Sequence, residues 1–306
     1  MKGGGNMGHK NGNLTYQISQ QYKSMGTYGE SKHMAKTDGT MNVKIFSYAT
    51  MKAYIQHGVD FGKYCKKQHG VKSIEACRRY VADYIRYRSE KYSPSTVKLD
   101  LAALAKLFRC RATDFGVETA PRTRATTTRS RRPVQMDKHF SETKNADLVS
   151  FCRSTGLRRC ELKAIHGNQL RIIDGSVYIK IIGNQGKGGK ERLVPVIGNI
   201  DLVVRLMTAA GDNKVFGKIH SAADIHGYRA DYAASLYKQY ARPLAVCKSD
   251  QFYNSTRHRM DRNSVYYCRR DQCGKWYDKK AMLIVSHSLG HNRICVVGEN
   301  YLYKVE

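Results

Sequence analysis

The sequence predicts a mainly α-helical protein with a small antiparallel β-sheet, divided into a helical domain and a mixed α/β domain. Three observations carry this expectation. Apolar residues recur at helical spacing from Lys44 to Cys110. An arginine-rich, proline-bearing stretch then breaks the pattern. Beyond it, helical spacing alternates with two-residue alternation around tight turns.

The elements follow in chain order. Residues 1–40 lack apolar periodicity and are rich in Gly, Lys, Asn and Ser, so they read as a flexible basic arm or as a tail without function. Residues 41–117 form the helical domain. Ile74, Cys77, Val81 and Ile85 make one apolar stripe, and Val97, Leu101, Leu104, Leu107 and Phe108 a second. Ser93-Pro94 opens that second helix with a hydroxyl at the cap and proline at the first helical position. Residues 118–137 form a linker. Its stretch TAPRTRATTTRSRRPVQ carries Arg122, Arg124, Arg129, Arg131 and Arg132 with no acid, and those guanidinium groups suit phosphates. Residues 138–306 form the second domain. A helix begins at Asp147–Cys152, and Leu170 to Ile182 reads as a strand pair turning at Asp174-Gly175. Leu193–Ile197 is a third strand. Helices follow near 200–210 and 226–241, then a hairpin from Val265 to Tyr277, then a helix from Ala281 to Leu289.

Charge narrows the function. Lys plus Arg number 53 against 25 Asp plus Glu, a net of +28. Such a field draws a polyanion and gains from counterion release, so nucleic acid is the expected partner. The excess is spread along the chain instead of lying in one amphipathic helix, which argues against a membrane surface. No run of about 18 apolar residues is present and the N-terminus lacks the apolar core of a secretory signal, so a cytoplasmic location is expected. The nine cysteines have no framework spacing and read as reduced thiols. Cys268 and Cys273 lack a second pair of ligands at zinc spacing, so no metal is expected.

Four stretches carry chemistry: TGLRRCEL (155–162), GKGGKERLVPV (186–196), HGYR (226–229) and LGHNR (289–293), followed by Tyr301. The GKGGK run is not a nucleotide-binding loop. Asn184 and Ile181 stand where the first glycine belongs, and Glu191 stands where the magnesium-binding hydroxyl belongs, so no ATP or other cofactor is expected. In order, the stretches resemble the catalytic set of the tyrosine recombinases, the phage-integrase family: Arg158, Lys187, His226 with Arg229, His291 and Tyr301. The stretch VADYIRYRSEKYSPSTVKLDLAALAKLF (81–108) is similar to the family's helical core-binding domain. The wording LGHNR…ENYLY looks closest to integrases of bacterial mobile elements.

The residue types suit the chemistry. Two planar guanidinium forks, Arg158 and Arg229, can neutralise a phosphodiester as a nucleophile adds. A tyrosine hydroxyl needs help to lose its proton. The resemblance implies that Tyr301 is the nucleophile, that His226 is the general base, and that His291 binds phosphate or supports that step. The resemblance also makes Lys187 the general acid for the leaving 5′ oxygen, with Lys190 as the other candidate, and Glu161 is expected to orient an active-site group, against the plainer reading of an exposed surface acid. Tyr303 competes with Tyr301. The ten-residue step from His291 matches the family spacing and favours Tyr301. The resemblance further implies a 3′-phosphotyrosyl intermediate, a homotetramer on two DNA sites, and accessory DNA-bending or directionality proteins. A non-catalytic DNA-binding regulator and a type IB topoisomerase are the rival readings.

Three departures from the family pattern stand out. Gly227 and Tyr228 precede the second arginine, and Tyr228 occupies a slot that is usually apolar. Sixty-five positions separate His226 from His291, and the insert at 242–280 suggests either DNA contact or packing. Five residues follow Tyr301, which leaves little room for a C-terminal helix that docks on a neighbour.

Overall fold

The computed structural model describes residues 13–123, 126, 140–183, 185–186, 191–255, 257–269 and 272–305. The chain divides into two compact units, Met1–Thr128 and Arg129–Glu306.

The first unit is all helical: α1 (Leu14–Ser24), α2 (Lys32–Thr37), α3 (Tyr48–His69), α4 (Ile74–Cys77), α5 (Val81–Lys91) and α6 (Pro94–Leu107). Side chains cap α1 through Asn13, α3 through Ser47 and α4 through Ser73, each satisfying an orphan amide of the first turn. Gly70 ends α3 in the left-handed region. Ser93 holds the cap position of α6 ahead of Pro94, but its hydroxyl pairs with Thr96 Oγ1 at 3.3 Å. The apolar stripes read from the sequence are buried. Ile74, Cys77, Val81 and Ile85 pack with Val97, Leu101, Leu104 and Leu107, while Phe108 is half-buried against them.

The arm expected over residues 1–40 needs correction from residue 13 onward. Leu14, Ile18 and Tyr22 of α1 enter the core of this unit. Burial of each such side chain contributes roughly 1.5–3 kcal/mol. The helix lies tight on α3 because α3 offers glycines there. A Cβ at Gly58 would stand 2.5 Å from the Tyr22 ring, and one at Gly62 would stand 2.6 Å from Ile18. Tyr22 Oη then donates to the Ala103 carbonyl at 2.8 Å, which ties α1 to α6.

The second unit begins with α7 (Ala146–Thr155) and α8 (Arg159–Ala164). A three-stranded antiparallel sheet follows, ordered β1 (Leu170–Ile173), β2 (Ser176–Ile181), β3 (Arg192–Pro195). Asp174 and Gly175 both have positive φ, the geometry of the tight hairpin turn that Asp-Gly predicts. Ile179 pairs with Leu170 and Val194, and Ile179, Ile181 and Val194 are fully buried. Next come α9 (Ile200–Ala210), α10 (Ile225–Tyr240) and α11 (Leu244–Ser249). Two short hairpins follow, β4 (Phe252–Asn254) with β5 (Arg259–Asp261), and β6 (Val265–Tyr267) with β7 (Trp276–Asp278). The unit closes with α12 (Lys279–Ser288) and α13 (Ile294–Asn300). Helix α10 runs through the core, burying Tyr228, Arg229, Tyr232, Ala233, Leu236 and Tyr237 among Phe151, Leu157, Met282 and Leu289. Tyr228 fills its slot as a core residue, with its hydroxyl 3.0 Å from Glu142.

The nine cysteines are free. Among the described residues, no helix is long and apolar enough to cross a membrane, and no group of three or more His, Cys, Asp or Glu side chains has metal-site geometry.

Candidate active site

Local chain geometry delivers five of the six expected catalytic side chains to one place. Helix α7 ends at Gly156, whose φ is +59° and whose added Cβ would stand 2.2 Å from the Tyr232 ring. Glycine is required there twice over, for the left-handed conformation and for the close ring. The chain then buries Leu157 and sets Arg158 at the cap of α8. Glu161, in the first turn of α8, accepts from the Arg158 amide at 2.7 Å and from Arg158 Nη1 at 2.9 Å.

Glu161 is fully buried and holds a second cation, since Arg192 Nη2 donates to it at 2.9 Å. Burial would raise this carboxyl. The hydrogen bond and charge of Arg192, with the Arg158 amide and guanidinium, outweigh burial and hold the group below its ordinary value. Arg192 also donates through Nε to the Ser288 carbonyl at 2.9 Å, and Arg158 Nη2 donates to the Gly290 carbonyl at 3.1 Å. Gly290 has φ +65°, and a Cβ on it would stand 3.0 Å from Arg158 Nη1 and 3.1 Å from Arg192. Only a glycine lets the chain turn out of α12 against both guanidinium groups.

The same turn presents His291, whose amide donates to Ser286 at 2.7 Å. Helix α10 presents His226 and Arg229 from its first turns, where the Asp224 side chain accepts from the Gly227 amide. Arg159 braces the loop before this helix, donating to the carbonyls of His220 and Ala223 at 2.7 and 2.6 Å. Arg229 is 2% exposed and donates through Nη1 to the Gly156 carbonyl and through Nη2 to the Leu289 carbonyl. Those two bonds link the start of the Arg158 loop to the start of the His291 loop.

Tyr301 caps α13 and points its hydroxyl into this cluster. Arg229 Nε donates to Tyr301 Oη at 3.4 Å, and His291 Nε2 lies 3.3 Å from the same oxygen. The His226 ring sits edge-on to the Tyr301 ring, with centroids 5.3 Å apart, and His226 itself is exposed. Tyr303 is half-buried and packs on the apolar core. Burial and the charges of Arg229, Arg158 and Arg192 push the His291 imidazole down to about 4, so it is uncharged at neutral pH. A neutral ring nitrogen at this distance can accept a hydrogen bond from the phenol, and the positive surroundings that keep it neutral also make it a weak base until an anion offsets them. Three guanidinium groups against one carboxylate leave this cluster positive, which suits an anionic tetrahedral group such as a phosphodiester.

Lys187, with its rival Lys190, lies outside the described residues. Gly186, just before them, brings its Cβ position within 3.2 Å of Glu161 Oε1. Arg124, Arg129, Arg131 and Arg132 also lie outside the described residues. Arg122 is exposed and donates to the Ser95 carbonyl at 3.4 Å. Sequence reasoning missed Arg192. Its signal was available: it stands two residues before Val194 on one strand, and so shares the inward face of that fully buried residue.

No family model matches the chain, and no curated protein does. Among solved structures, the chain is similar to the Tn1549 transposon integrase (residues 82–397) in complex with circular intermediate DNA. Identity is 13% and the TM-score 0.42, over 93% of this chain and 94% of that one. A likeness this loose assigns neither family nor activity, and the functional reading rests on the site residues themselves.

Proposed function

We propose that this chain is a tyrosine-type site-specific DNA recombinase, an integrase of a mobile element. The observation that carries the reading is the Tyr301 hydroxyl within hydrogen-bond distance of both Arg229 and His291, beside Arg158 and Glu161. The net charge of +28 supports a DNA partner. The four motif stretches support the family.

In this reading, Arg158 and Arg229 hold the non-bridging oxygens of the scissile phosphodiester. Tyr301 Oη attacks phosphorus and forms the new P–O bond as the bond to the 5′ oxygen breaks. The phenol proton passes to a histidine. The family resemblance assigns that role to His226, but the 3.3 Å distance favours His291. Lys187 gives a proton to the departing 5′ oxygen. The 3′-phosphotyrosyl ester retains the energy of the broken link, so a 5′ hydroxyl from another strand can reverse the step without a cofactor. Four subunits on two DNA sites complete the exchange.

Covalent trapping tests this. Purified protein is mixed with nicked DNA half-sites drawn from the flanks of its gene and run on a denaturing gel. An SDS-resistant adduct that Tyr301→Phe abolishes and Tyr303→Phe retains is the expected result. Tight DNA binding with no adduct would overturn the enzyme reading in favour of a DNA-binding regulator. An adduct with relaxation of supercoils but no joining between two DNAs would favour a type IB topoisomerase.

A further inference from the structure

We infer that the 242–280 insert is a positioning scaffold for the tyrosine, acting through its β6–β7 hairpin. This rests on Tyr301 being the nucleophile. The hairpin packs on the segment around Tyr301 through both its strands and its turn. Tyr277, 3% exposed, donates from its hydroxyl to the Leu302 carbonyl at 3.0 Å. Gln272 Nε2 adds a weaker contact, 3.5 Å from the Glu299 carbonyl and at the limit of hydrogen bonding. Gly298 lies so close that an added Cβ would stand 3.3 Å from the Tyr266 ring and 3.2 Å from Met282. These contacts bracket Tyr301 on both sides in sequence.

The base of the hairpin is fixed to the phosphate-binding side of the site. The Asp278 amide donates to Tyr237 Oη at 2.8 Å, and Tyr237 belongs to α10, the helix that carries His226 and Arg229. Arg242 donates through Nε and Nη2 to the Asp278 carboxylate, both at 2.7 Å. The same carboxylate accepts from the Lys280 amide at 2.9 Å and so caps α12, which runs on to Gly290 and His291. The hairpin is therefore a strut between the helix that holds Arg229 and the segment that holds Tyr301.

A strut is needed because the hydroxyl itself is loosely held. Its bonds to Arg229 and His291 are 3.4 and 3.3 Å, at the long end of the useful range. In-line attack tolerates little error, and a displacement of about 1 Å can lower a rate on the order of a hundredfold. Accuracy must come from the backbone of residues 298–302, which is where the hairpin bonds.

The test uses the full chain and separates two rates. The first is formation of the Tyr301 adduct on nicked half-site DNA. The second is strand cleavage by hydrogen peroxide in a Tyr301→Phe background. Peroxide supplies its own nucleophile, so on this reading the second reaction depends on Arg158 and Arg229 and not on the position of residue 301. Tyr277→Phe keeps the ring and removes the bond to Leu302. Adduct formation should fall about tenfold, while DNA affinity and peroxide cleavage stay within about twofold of their parents. Gln272→Ala, at a half-buried position, should show the same split more weakly and guards against misfolding of the first variant. Equal losses in both reactions would reduce the hairpin to general packing, and no loss in either variant would overturn the proposal. Absence of any adduct in the unaltered protein would remove the nucleophile reading, and this one with it.

Discussion

Each unit of the molecule holds a fully buried carboxylate between two basic side chains. Asp100 in the helical unit accepts from Arg88 Nε at 2.9 Å and meets His57 Nδ1 at 2.6 Å. Glu161 in the second unit accepts from Arg158 and Arg192, each at 2.9 Å. Both acids are fully buried. The difference lies in what the arginines do with their remaining faces. Arg88 lies against Tyr92, its guanidinium 3.6 Å from the ring centroid, and is closed off. Arg158 reaches on to the Gly290 carbonyl, and its side chain is 20% exposed, open to a ligand. One motif can thus serve architecture or chemistry, and the partner's outward contacts tell which.

Four measurements bear on this difference, the largest effect first. Asp100→Ala leaves the buried Arg88 guanidinium uncompensated and half-buried His57 without its partner, and should destabilise the helical unit by about 3–5 kcal/mol, read by urea unfolding. Its adduct formation per bound complex should hold, and a drop would blur the distinction. Arg158→Gln should lower adduct formation about 10²–10³-fold, as expected for losing a donor to developing charge, with a smaller change in the unfolding midpoint than Asp100→Ala gives. Glu161→Gln should lower the same rate about ten- to a hundredfold, since a neutral amide cannot orient two guanidinium groups. Arg158 and Arg192 would then be freer, so phosphate-dependent DNA binding should tighten.

The fourth effect is the smallest. His291 should titrate near 4 in the free protein. A bound phosphodiester offsets the three guanidinium charges, so its titration should move upward, visible by NMR. Between about 6.5 and about 4 the unfolded chain takes a proton that the folded site refuses, so stability falls as pH drops through that window. A His291 that titrates at its ordinary value in the free protein would mean that the guanidinium cluster is not packed as described.

Local signals explain what the sequence made legible. Ser93-Pro94 and Asp174-Gly175 are punctuation that neighbours cannot easily override, and both elements stand where they were placed. Helix α1 escaped because its apolar residues Leu14, Ile18 and Tyr22 repeat at helical spacing inside a Gly-, Lys- and Asn-rich stretch, where composition drowned periodicity. The pairing of β4 with β5 escaped because three-residue strands are too short to show alternation. At the site, six residues can be named from their motif order, five of them described, and Arg229 and His291 meet at the Tyr301 hydroxyl while Arg158 bonds the carbonyl next to His291. Arg192 escaped because a strand arginine reads as exposed until its inward register is known. Glycines 156 and 290 escaped because their necessity lies in rings and guanidinium groups distant in sequence.

The 5% exposure of Tyr301 has a consequence for labelling. Of the 21 tyrosines, Tyr48, Tyr253 and Tyr267 are more than half exposed and would take iodine or a nitrating reagent readily. The proposed nucleophile would stay silent in that background. Its modification, followed by mass spectrometry residue by residue, would therefore act as a reporter that lights up when the tail segment opens, and it needs no knowledge of the target DNA.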